Sequence, residues 1–164
     1  DKMVKQKESN FDTVWNEKKL AADNFCHLEF DALPENEGFA RVVVAAFMTQ
    51  LDPLLEEMDD VKTAVSEAVT NCIIHGYQGL EQRKMRIHME CFRCANELYV
   101  LIEDFGVGIE NISQAMEPLF TTKPDMERSG MGFAFMEAFM DELFVESQIG
   151  NGTKVYMSKR IGEK

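Results

Sequence analysis

From Val61 to Tyr77 the chain reads VKTAVSEAVTNCIIHGY. Val61, Ala64, Val65, Ala68, Val69, Cys72 and Ile73 recur with the 3.6-residue period of a helix laid on a core. A stripe of that length commits the fold to a helical layer with an apolar surface beneath it. Glu67, Asn71 and His75, spaced four apart, form a second row along the edge of the first. A carboxylate, an amide and an imidazole are thereby held half-buried on one rigid side.

Segments with a two-residue period can supply the surface beneath. Phe25 to Ala32 turns Cys26, Leu28 and Phe30 one way, Arg86 to Cys91 turns Ile87, Met89 and Cys91, and Leu98 to Asp104 turns Leu98, Val100 and Ile102. Ala95-Asn96-Glu97 joins the last two into a hairpin. Leu143 to Ser147 and Lys154 to Lys159 are further strands, joined by Gly150-Asn151-Gly152. A helix is expected from Pro34 to about Leu51, ending before Pro53, and another from Phe133 to Met140. The first 24 residues are polar and lysine-rich, with Phe11, Val14 and Trp15 separated along them, and read as a tail or a weak amphipathic extension of unassigned role. At 164 residues and 45% hydrophobic content, residues 25–164 are expected to form one domain.

The helix after Pro34 is apolar on more than one side. Phe39, Val43, Ala46 and Phe47 form one side and Val44 and Met48 lie elsewhere, so a second buried surface is expected, most simply a second subunit. Glu37 and Arg41, one turn apart, are either an exposed pair of small energetic weight or a contact for a partner.

A formal charge of -12 argues against a nucleic-acid groove, which needs clustered Lys and Arg. Any bound polyphosphate needs a metal or a few placed cations. The four cysteines Cys26, Cys72, Cys91 and Cys94 are too scattered for a disulfide framework, and the Cys91-x-x-Cys94 pair lacks the second pair that a zinc site requires. Reduced thiols in a cytoplasmic protein are expected. The longest apolar run, Val42 to Met48, is far below membrane-spanning length.

Asp104-Phe105-Gly106-Val107-Gly108 places a carboxylate where the next inward residue of a strand belongs, followed by two glycines that let a ligand approach the backbone. Alone, this is an ordinary glycine turn. LFTTKP (Leu119 to Pro124) and ERSGMG (Glu127 to Gly132) then supply hydroxyls, a lysine, an arginine and glycines immediately before a helix. Backbone N–H groups at such a helix start suit phosphate. The spacing matches neither the P-loop nor the dinucleotide fingerprint.

Taken in order, Glu-x-x-x-Asn-x-x-x-His, Asp-x-Gly-x-Gly, Thr-Thr-Lys-Pro, Gly-x-Gly and a Gly-Thr at the last strand resemble the ATPase superfamily of gyrases, histidine kinases and mismatch-repair proteins. VSEAVTN, IIHGY, EPLFTTKP and ERSGMGF are similar to the small bacterial anti-sigma factor serine kinases, in the branch found in endospore-forming bacteria, over Phe25 to Ser158. The resemblance implies an α+β two-layer sandwich of the Bergerat type, with a mixed, mostly antiparallel sheet covered on one face by about three helices. It implies that Glu67 is the general base and that Asn71 holds Mg²⁺ beside the phosphates of ATP or ADP. Asp104 is then the acceptor for the adenine amino group, Gly106 and Gly108 give the base room, and Thr153 supports that contact. Ser129, Gly130, Met131 and Gly132 form the phosphate loop, with Thr121, Thr122 and Lys123 in a mobile lid. His75 joins the nucleotide-facing row without a role of its own.

The implied partners are a sporulation sigma factor of RNA polymerase, an anti-anti-sigma protein phosphorylated on serine, and a second copy of the chain, with Glu37 and Arg41 as partner contacts. No direct nucleic-acid or membrane contact is implied. Two alternatives remain: a stress-response kinase of the sigma B type, and a nucleotide-gated binding module without catalysis.

Overall fold

In the computed structural model, alternation in the strands divides the apolar residues between two faces of one sheet. The structure describes residues 4–5, 11–77, 85–117 and 132–162. In chain order these form β1 (Val4–Lys5), α1 (Phe11–Leu20), β2 (Asn24–Asp31), α2 (Glu35–Met48), α3 (Leu55–Asn71), β3 (Arg86–Cys94), β4 (Glu97–Asp104), α4 (Ile112–Ala115), α5 (Gly132–Phe139), β5 (Glu142–Gln148) and β6 (Gly152–Arg160). The sheet runs β1-β5-β6-β4-β3-β2. Among the described residues the short β1–β5 pairing is parallel and the other four are antiparallel. The fold is therefore the expected α+β sandwich.

Ile87, Met89 and Cys91 of β3, Leu98, Val100 and Ile102 of β4, Leu143 and Val145 of β5 and Val155 and Met157 of β6 all face one side. There they meet α3 through Val61, Ala64, Val65, Ala68 and Val69, with α2 and α5 flanking it. The helical stripe read from the sequence is thus the centre of the core. Burial of this apolar area is what the fold chiefly rests on.

One expectation needs correcting. On α2 the core side is Ala40, Val44, Phe47 and Met48, an i, i+4, i+7, i+8 set. Phe39 and Val42 are instead half or more exposed, at 50% and 64%, and Ala46 is also exposed. The surplus apolar face exists, but it is the one containing Phe39 and Val42. Of the two readings of the N-terminal segment, Phe11–Leu20 takes the helical one, as α1. Trp15 of α1 sits in an aromatic patch of Phe92, Tyr99, Leu101, Phe144 and Tyr156 on the opposite face of the sheet. Tyr156 donates its hydroxyl hydrogen bond to Asp12, and Lys19 pairs with Glu90 at 3.1 Å. Large apolar residues on this face of four strands form the patch, and α1 covers it through Phe11 and Trp15.

Trp15 is the chain's only tryptophan and is 5% exposed. Trp15→Ala is expected to destabilise the protein by about 3 kcal/mol, the usual range for truncating a buried indole. A urea midpoint followed by circular dichroism measures it; an unchanged midpoint would show that α1 adds nothing to the domain.

Candidate functional site

α3 and the adjoining ends of β4 and β6 bring the polar residues of the sequence motifs together. Glu67 and Asn71 lie on successive turns of α3, on the side where α5 packs. A Cβ built on Gly132, the first residue of α5, would stand 3.1 Å from Asn71 Nδ2 and 3.4 Å from Glu67 Oε2. Glycine at this position lets the start of α5 come within reach of both side chains. Gly132 itself therefore abuts Glu67 and Asn71 on α3.

Beyond Asn71 the helix changes pitch. Cys72–Gly76 winds as a π-helix, so the four-residue spacing that kept Glu67 and Asn71 in line does not continue straight to His75. The wider turn presents Gly76 to Asp104, whose Oδ2 lies 2.6 Å from where a Gly76 Cβ would stand. The carbonyl of Gly76 accepts a hydrogen bond from Val107 N at 2.7 Å. Helix end and glycine turn are tied directly to one another.

Asp104 closes β4 opposite Thr153 of β6 and is only 4% exposed. Gly106 N donates to Asp104 Oδ1 at 3.0 Å. Burial pushes the carboxyl above its ordinary range, and the Gly106 N–H pulls in the other direction. The adjacent Cys72 thiol is raised further still, first by burial and then by the charge of Asp104. A buried carboxylate supported by a backbone donor, with glycines on either side, is built to accept a hydrogen bond from a flat polar ligand.

The surrounding turn is held by a network in which Ser147 and Tyr77 join Thr153 and the glycine turn. Thr153 Oγ1 lies 2.8 Å from Ser147 Oγ, which donates to Gly152 O at 3.0 Å and accepts from Ile109 N at 2.7 Å. This links Thr153 to the chain just after Gly108, itself at φ 79°. The Tyr77 hydroxyl donates to Arg86 O and accepts from Phe105 N at 2.9 Å. Burial pushes that hydroxyl's pKa up to about 12. Gly76 and Tyr77 stand in the IIHGY motif and could have been found there. Ser147 carries no sequence signal beyond its place opposite Thr153.

Thr121, Thr122, Lys123, Ser129, Gly130 and Met131 lie outside the described residues. Glu37 and Arg41 form the anticipated pair on α2, at 3.0 Å. They also face a cleft of about 470 Å³ between α2 and α3, on whose far wall Glu67 stands. Residues read as a separate partner contact thus share a cavity with the carboxylate on α3. Among the described residues, no group of three or more His, Cys, Asp or Glu side chains is placed to hold a metal ion. No described helix is long and apolar enough to cross a membrane.

Residues 30–159 match the family model described as histidine kinase-like ATPase domain. An anti-sigma F factor of Clostridium beijerinckii is 57% identical over 140 residues, covering 85% of this chain and 96% of that protein. Another, from Clostridium perfringens, is 56% identical over 139 residues, covering 85% and 98%. Among solved structures, the RsbU and RsbW domains of a Mycobacterium tuberculosis protein superpose with a TM-score of 0.59 at 17% identity, over 86% of this chain. That match spans 33% of the longer mycobacterial chain and speaks to the fold alone.

Proposed function

The chain belongs to the histidine kinase-like ATPase family and, within it, to the anti-sigma F factors, and on that premise we propose that it holds a sporulation sigma factor and uses Mg-ATP to phosphorylate a serine of an anti-anti-sigma protein. The observation that carries the catalytic half is the position of Glu67. Its carboxylate lies beside the start of α5, where the phosphates would sit, and also lines the open α2/α3 cleft, from which a hydroxyl could approach. A base in that position can take the proton of an attacking serine while the γ-phosphoryl departs.

The other roles are assigned from the motifs, and the geometry supports them. Asp104 accepts from the adenine amino group, with Gly106 and Gly108 beside it and Thr153 behind it. Asn71 fits Mg²⁺: its amide supplies one hard oxygen a turn from the Glu67 carboxylate, and Mg²⁺ takes its remaining ligands from phosphates and water. The metal would neutralise charge on the transferred phosphoryl group. Thr121, Thr122, Lys123, Ser129, Gly130 and Met131 are assigned to the lid and phosphate loop by their motifs, and His75 to the adjoining wall. Glu37 and Arg41 contact the protein partners, with Arg41 as the cation that meets them. The family assignment and the presence of Glu67 favour this reading over a binding module without catalysis.

The chain also acts as a homodimer in this proposal, supported by the apolar surface that α2 leaves open at Phe39 and Val42. Val42→Lys is expected to convert the dimer to a monomer, read by size-exclusion chromatography with light scattering. A wild type that is monomeric at high concentration would remove the dimer. The sigma-binding half is tested by co-purification: the ATP- or ADP-loaded protein retains the sporulation sigma factor, and Arg41→Ala releases it. Equal retention by Arg41→Ala removes the role given to that residue.

A further inference from the structure

We propose that Ser147 is a positioning residue of the base site: it receives the single hydroxyl proton of Thr153, so that Thr153 and Asp104 both face the ligand as hydrogen-bond acceptors. The pocket then takes a purine with a 6-amino group and rejects one with a 6-oxo group. This rests on the adenine contact proposed above and names a side chain that enforces it without touching the base.

Asp104, Thr153 and Ser147 stand in one row across neighbouring strands. Asp104 of β4 is directly opposite Thr153 of β6, and Thr153 is directly opposite Ser147 of β5. Residues paired in this way in an antiparallel sheet project from the same face, with Cβ atoms about 5 Å apart. Asp104 and Thr153 are both buried. A ligand group that reaches the Asp104 carboxylate therefore comes within reach of the Thr153 hydroxyl, directly or through one water.

Which way the protons point follows from what Ser147 can offer. A serine hydroxyl has one proton to give and two lone pairs to receive with. Ile109 N, 2.7 Å from Ser147 Oγ, can only donate, and Gly152 O, 3.0 Å away, can only accept. If the Ser147 proton turned to Thr153 instead, the serine and carbonyl oxygens would face each other at 3.0 Å with no proton between them, which is repulsive. The 2.8 Å contact between Ser147 Oγ and Thr153 Oγ1 is therefore filled by the Thr153 proton. Thr153 keeps only lone pairs for the site. Ionised Asp104 is likewise an acceptor, with Oδ1 already receiving Gly106 N–H at 3.0 Å. Two adjacent acceptors suit an exocyclic amino group, which has two N–H bonds to give. A 6-oxo group in the same place would set a third acceptor against them, with no proton to share.

Isothermal titration calorimetry tests this with three ligands: ADP, inosine diphosphate, and purine riboside diphosphate, which has no 6-substituent. Wild type is expected to bind ADP most tightly and inosine diphosphate about 100-fold or more weakly, with the unsubstituted purine between them. Ser147→Ala frees the Thr153 proton to turn towards the ligand. ADP is then expected to weaken about tenfold while inosine diphosphate binds as before or more tightly, so the preference between them shrinks by about tenfold or more. Ser147→Thr, which restores a hydroxyl, is expected to keep the wild-type preference within about threefold. Each preference is a ratio measured on one protein, so a partly unfolded variant does not alter it. Should Ser147→Ala not fold, Ser147→Cys, with its weaker thiol, is expected to shrink the preference in smaller measure. A variant that weakens ADP and inosine diphosphate equally leaves the preference unchanged and overturns the proposal, reducing Ser147 to a packing role. A wild type that binds ADP no more tightly than the unsubstituted purine removes the adenine contact itself, and the proposal with it.

Discussion

Asp104→Asn is expected to weaken ADP binding roughly 100-fold while the protein unfolds at the same temperature or a higher one. The binding loss follows from replacing an ionised acceptor, whose hydrogen bonds are the strong kind, by an amide that can turn a donor towards the adenine amino group. About 3 kcal/mol corresponds to that factor. The stability effect has the opposite sign for a physical reason. Burial raises the Asp104 carboxyl above its unfolded value. The folded state therefore keeps this proton at a pH where the unfolded chain has released it, and stability falls as pH climbs from the unfolded to the folded value. Above that window the ionised group carries its full desolvation penalty, which Asn avoids, while Asn Oδ1 can still accept from Gly106 N. The same shift makes wild-type ADP binding fail on acidification at a higher pH than an ordinary aspartate would impose. Isothermal titration calorimetry across pH and a thermal melt measure both effects. A variant that binds ADP normally would remove Asp104 from the base contact.

The second large effect belongs to Glu67. Glu67→Gln keeps the size and most of the packing of the side chain but removes its capacity to take a proton. Phosphoryl transfer is expected to fall by about 10²–10⁴, the usual contribution of a positioned general base. ADP affinity is expected to stay within a few-fold, because the proposed adenine contact belongs to Asp104 and the glycine turn, whose hydrogen bond does not involve Glu67. A single-turnover rate, measured with the enzyme in excess over acceptor, separates chemistry from docking. Equal rates in wild type and variant would transfer the role of base to another group.

Much of the domain was legible because its signals are periodic. The Val61 to Ile73 stripe and the alternation in β3 and β4 each report one buried face, and burial dominates the energetics. α2 was misread because its apolar residues surround most of the helix, and which of them faces the sheet depends on a partner surface that periodicity does not encode. α1 leaves only a weak signal, because three apolar residues in a polar segment are too few to declare a face. The patch that Trp15 fills is assembled from four strands distant in sequence. At the site, Glu67, Asn71, Asp104 and Gly132 stood out by residue type and spacing and Thr153 by the family resemblance; the structure sets Gly132 against Asn71 and Glu67, and Asp104 opposite Thr153. The π-helical turn at Cys72–Gly76 was not legible, since a five-residue ring leaves no pattern that an α-helical reading recognises. Nor was the Ser147 hydroxyl network, which depends on strand register.

The central claim is that Glu67, Asn71 and Asp104 line one ATP site that delivers a phosphoryl group to a serine of a protein bound in the neighbouring cleft. Incubation of the purified protein with Mg-ATP and the anti-anti-sigma protein, followed by mass spectrometry of the acceptor, tests it most directly. The expected result is one phosphoserine, formed only with Mg-ATP present and at a rate sharply reduced in Glu67→Gln. An acceptor that remains unmodified while the protein binds ATP normally would contradict the account and leave a nucleotide-gated binding protein in its place.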